Sequence, residues 1–124
     1  MRLLVHSVDT VIAVIGGNGR PRIVLVIATG RVSSSGWSDP QLEPRIYIVP
    51  PSDGILEFDF TAERSDDDRK VLPYVVPVAA SILLPVPDWV DGVRVKSFSN
   101  SEQSTLSSAN NLPNPAPQPW FASP

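Results

Sequence analysis

The chain has no cysteine. That absence excludes a disulfide framework, a thiolate zinc site and a cysteine nucleophile. Histidine occurs once, as His6. Any Ser-His-Asp site would have to use that ring, with Asp9 or another carboxylate. No Gly-x-Ser-x-Gly turn is there to present the serine, and a histidine on an N-terminal strand is the simpler reading. Long apolar runs are missing too. Val71 to Pro87 carries no charge, but Pro73, Pro77, Pro85 and Pro87 break it, and a membrane helix needs about 20 apolar residues. Excess positive charge is also absent. The formal net charge is −3, and the basic residues are scattered, which argues against nucleic acid as a partner.

What is present is a globular composition, 42% hydrophobic over 124 residues, enough for one domain with a real core. The N-terminus begins like a signal peptide, but His6, Ser7 and Asp9 interrupt its apolar region. A cytoplasmic protein is therefore expected, with bacterial export as the alternative.

The most informative stretch is Pro50–Ala62. Two prolines and Asp53-Gly54 make a turn, and Leu56, Phe58, Phe60 and Ala62 then alternate with Glu57, Asp59 and Thr61. A period of two marks a strand with one buried face and one wet face. Similar short units flank it. Val8–Ile15, a glycine turn and Ile23–Thr29 read as a hairpin. Ile23–Ala28 is apolar on both faces, which predicts a central strand covered on both sides by protein or by another subunit. Ser33–Pro44 reads as a loop, Arg45–Val49 as a strand and Glu63–Lys70 as a solvated hairpin tip. Tyr74–Leu84 reads as a strand that Pro77 confines to an edge or a bulge. Pro85–Gly92 is a turn containing Trp89, and Gly92–Phe98 closes the series. The expectation is an all-β domain over residues 1–98: a small antiparallel β-sandwich, or a partly open barrel, of six to seven strands.

From Ser99 to Pro124 the composition shifts to Ser, Asn and Pro with one charged residue, Glu102. Such a tail buries too little apolar area to offset its ordering entropy. Pro113, Pro115, Pro117 and Pro119 favour an extended conformation. Trp120 and Phe121 are its natural anchor, on this domain or on a neighbouring subunit.

Candidate chemistry is sparse. Gly16-Gly17-Asn18-Gly19 precedes a strand and lacks the Gly-Lys-Ser/Thr ending, so it reads as a hairpin turn and not a phosphate loop. Asp66-Asp67-Asp68 lacks the glycine and distal glutamate of a calcium loop and reads as solvated. No metal ligand set and no cofactor are expected. Glu57 and Asp59 are the alternative acid/base pair. Their simpler role is to meet Arg94 and Lys96 across strands, where such pairs contribute about 0.2–1 kcal/mol. Trp37, with Asp39 and Tyr47 nearby, is the candidate carbohydrate- or peptide-binding group, or else a plug over the core.

Gly36-Trp37-Ser38, Pro40, Leu42, Pro50-Pro51, Asp53-Gly54-Ile55, Phe58-Asp59-Phe60 and Ala62 together resemble a pattern found in a group of small bacterial all-β proteins with no assigned activity. The resemblance covers about residues 31–97. It implies a bacterial origin and carries over no site residue. The functional expectation is a non-enzymatic binding or assembly module that self-associates as a homo-oligomer. The alternatives are a small carboxylate-based hydrolase or isomerase and a carbohydrate- or peptide-binding module centred on Trp37.

Overall fold

A computed structural model describes residues 1–16, 19–66 and 72–108. Among them the chain forms nine strands and no helix: β1 (Arg2–Leu4), β2 (Ser7–Gly16), β3 (Arg22–Val32), β4 (Trp37–Pro44), β5 (Ile55–Arg64), β6 (Val76–Val86), β7 (Gly92–Lys96), β8 (Ser101–Thr105) and β9 (Ser107–Ser108). They build two sheets of a sandwich. In the first, β5 pairs with β4 along one edge and with β7 and then β1 along the other, and β8 lies beyond β7. The second has the order β6-β3-β2-β9.

The alternation in the sequence becomes the core. Leu56, Phe58, Phe60 and Ala62 of β5 face Val24, Val26 and Ala28 of β3, with Val93 and Val95 of β7 beside them. Phe58 and Phe60 are fully buried, each stabilising the fold by about 1.5–3 kcal/mol relative to exposure. Gly30 of β3 is hemmed in by its neighbour strand β2 and by the facing sheet. A Cβ there would collide with the Ser7 carbonyl and lie 3.1 Å from the Phe60 ring, so the position needs glycine. The expected edge strand is also found: among the described residues β6 pairs only with β3, and Pro77 stands opposite Arg31.

Four expectations need correction. Ser33–Pro44 is not all loop: β4 occupies Trp37–Pro44. Its prolines are tolerated because β4 is an edge strand with a bulge between Ser38 and Gln41, where Asp39 takes a φ of 52°. Arg45–Val49 is not a strand. Arg45 N–H donates to the Glu57 carbonyl at 2.9 Å, and the chain then leaves the sheet, so Ile46 and Ile48 are 95% and 99% exposed. The sheets are mixed and not purely antiparallel. From β5 the chain crosses to the second sheet as β6 and returns as β7 beside β5, a route that makes β5 and β7 parallel. The strands also continue beyond Phe98: β8 and β9 fall within the stretch read as tail. Trp120, Phe121 and the rest of 109–124 lie outside the described residues, as do Gly17, Asn18 and 67–71.

The turn after β7 ties the two sheets together. The Asn100 side chain accepts from Val8 N–H at 2.9 Å and donates to the Val8 carbonyl at 2.8 Å. Ser97 Oγ donates to the same amide oxygen at 2.6 Å. One amide side chain thus takes the place of a strand partner where β2 bulges between Val8 and Thr10.

Candidate functional site

The wet face of β5 carries the carboxylates named from the sequence. Parallel pairing sets Glu57 opposite Arg94 and Asp59 opposite Lys96. Arg94 Nη1 donates to Glu57 Oε1 at 2.8 Å, as the alternation suggested. The Glu57 hydrogen bond, with the charges of Glu57 and Asp53, raises the pKa of the Arg94 guanidinium above its ordinary value against the effect of desolvation. Asp59 is held differently. Its ion pair is with Arg45, at 3.3 Å, and Arg45 also reaches Glu57 at 3.1 Å. Both candidate acid/base carboxylates are thereby engaged by guanidinium groups.

Trp37, Asp39 and Tyr47 do not converge. Trp37 is half-buried against the core and donates from Nε1 to Ser34 Oγ at 3.2 Å. Asp39 is exposed and pairs with Arg2 at 2.6 Å. Tyr47 lies beyond the far end of β4. Its ring packs edge-on against Trp89 with centroids 5.6 Å apart, and its hydroxyl accepts from Glu57 N–H at 3.3 Å. Tyr47 therefore plugs one end of the sandwich. Trp37 and Asp59 do line a cleft of about 750 Å³, with Arg2, His6, Glu43 and Phe98. Its polar groups largely satisfy one another: Arg2 bonds Asp39 and Thr61, and Thr61 donates to Glu43. Among the described residues, no group of three or more His, Cys, Asp or Glu is placed to hold a metal ion.

The second sheet presents a different surface. Its inner face is the core, and its outer face is apolar. Ile12 and Val14 of β2, Ile23, Leu25 and Ile27 of β3, and Leu83 and Pro85 of β6 lie in adjacent register rows. Leu83 is 69% exposed and Ile12 47%. No charged side chain interrupts these rows. Beyond one end stands the Asp9–Arg31 ion pair at 3.0 Å, and the Arg20–Asp88 pair joins the connections beyond the other. Sequence reasoning reached this surface only through the two-sided apolar run Ile23–Ala28. It missed Ile12, Val14 and Leu83, because their strands alternate too weakly to show which side is wet. Among the described residues no helix is long and apolar enough to cross a membrane. Comparison with family models, curated proteins and solved structures finds no match to this chain.

Proposed function

We propose that this chain is a non-enzymatic bacterial assembly module that self-associates through the outer face of the β6-β3-β2 sheet. One observation carries the reading: a contiguous, uncharged row of Ile12, Val14, Ile23, Leu25, Ile27 and Leu83 side chains faces outward from a sheet whose other side is already the core. Apolar patches of this kind rarely stay uncovered on monomers. The ion pairs at its two ends hold both signs of charge, so a second copy related by two-fold symmetry would meet complementary groups. Edge-to-edge pairing is disfavoured, since Pro77 and Pro85 remove two donors from the free edge of β6. Stacking of one face on another remains. The guanidinium contacts of Glu57 and Asp59 support a structural role for these carboxylates. The bacterial setting rests on the pattern resemblance over residues 31–97 described above.

Sedimentation equilibrium of the full chain and of Leu83→Lys tests the proposal. Leu83 is mostly exposed, so the substitution leaves the core intact. The expected result is a concentration-dependent dimer for the parent chain and a monomer for the variant. A parent chain that stays monomeric at millimolar concentration, or a variant that self-associates equally well, would count against the proposal.

A further inference from the structure

We infer that the two copies stack in one register, in which Leu83 of each copy fills a cleft over Ala79 and Ser81 of the other; this rests on the self-association proposed above. The first observation is the shape of the face. Along β6, Pro77, Ala79, Ser81, Leu83 and Pro85 are exposed and alternate with more buried residues, so they share the outer side of the sheet. Strand register extends them into rows. Val14, Leu25 and Leu83 form a bulky row, while Thr10, Thr29 and Ala79 form a low one. The hydroxyls of Thr10 and Thr29 are bonded to each other at 2.5 Å, which lowers the cost of covering them.

The second observation is the cleft itself. Ala79, Ala80 and Ser81 line an open space of about 420 Å³ together with Ile27 and Pro40. Ile27 stands opposite Ser81 on β3. Pro40 comes from the first sheet, out of the β4 bulge where Asp39 takes its φ of 52°. Small side chains on β6 are therefore flanked by two larger apolar ones. Leu83, 69% exposed, is more exposed than Ile12 or Ile23 on the same face. It lies four strand residues from Ala79, about 13 Å along β6, so it does not pack on Ala79 of its own copy.

The third observation is symmetry. Leu83 and Ala79 are equally far from Ser81 along the strand. A two-fold axis between the faces, crossing β6 at right angles over Ser81, sets Leu83 of each copy opposite Ala79 of the other. One operation makes both contacts. The same axis exchanges the ends of the face. It brings the Asp9–Arg31 pair of one copy toward the Arg20–Asp88 pair of the other, so carboxylate and guanidinium meet across the interface. An axis over Leu83 would press the two leucines together and leave both clefts empty. An axis over Ala79 would carry Leu83 opposite position 75, past the end of β6.

Methyl spectroscopy and a residue swap test this register. Nuclear Overhauser contacts between the Leu83 and Ala79 methyls are expected, and a mixture of labelled and unlabelled copies is expected to place them between copies. Sedimentation equilibrium reads the swap. Leu83→Ala removes the inserted side chain and Ala79→Leu fills the cleft, and each is expected to raise the dimer dissociation constant at least tenfold. Leu83→Ala/Ala79→Leu exchanges the two about the same axis, and is expected to return to within about threefold of the parent chain. Both positions are exposed in the single copy, and near-ultraviolet circular dichroism checks that each variant keeps the fold. Missing Leu83–Ala79 contacts, or a double variant as weak as its two parts combined, overturns the inference. If Leu83→Lys still dissociates the dimer in that case, the faces stack in another register and the proposed function stands. A parent chain that stays monomeric overturns both.

Discussion

At the scale of single residues, Asn100 does more than its exposure suggests. Its side chain satisfies both main-chain polar groups of Val8, a residue that is 1% exposed. Removing the amide strands a buried N–H and a buried carbonyl together. Asn100→Ala is expected to destabilise the fold by about 1–3 kcal/mol, the usual cost of unsatisfied buried groups. Urea unfolding reads this directly, and a variant within a few tenths of a kcal/mol of the parent would show that water replaces the amide. Nothing in the sequence marked this asparagine. It sits in a Ser/Asn-rich stretch, and its meaning comes from a partner 92 positions away. Glu57 is the opposite case. Its side of the strand followed from alternation, and a cationic partner followed from Arg94 and Lys96 alternating with Val93 and Val95.

At the scale of elements, the longest and most regular patterns were legible. β5 and the β2–β3 hairpin stand where period and turn chemistry put them. β4 and the 45–49 segment were exchanged for a physical reason. β4 turns one large aliphatic side chain, Leu42, into the core, and its prolines are tolerated at an edge and a bulge. Ile46 and Ile48 alternate as a strand would, but after the bond from Arg45 N–H to the Glu57 carbonyl the ladder stops, and Glu57 N–H donates to the Tyr47 hydroxyl in place of a main-chain carbonyl. Parallel pairing of β5 with β7 was hidden as well, since it depends on the route through β6. That pairing nevertheless has a measurable consequence. Glu57 and Arg94 are opposite partners with side chains 21% and 28% exposed. A double-mutant cycle with Glu57→Gln and Arg94→Gln is expected to give a coupling of about 0.2–1 kcal/mol, as for other cross-strand charge pairs. A coupling indistinguishable from zero would mean that Arg45 alone holds Glu57.

At the scale of the whole molecule, the two outer faces differ in kind. The face of the first sheet bears arginines and carboxylates bound to one another. The face of the second bears aliphatic side chains in register, and that asymmetry is what the self-association account explains. A competing apolar surface exists at Ile46, Ile48 and Val49, which project from the loop after β4. Methyl resonances of the full chain followed on dilution separate the two surfaces. The expected result is that the methyls of Ile12, Val14, Ile23, Leu25, Ile27 and Leu83 shift together along one dissociation curve while those of Ile46, Ile48 and Val49 stay fixed. Fixed face methyls with moving loop methyls, or no shift in either set, would contradict the account.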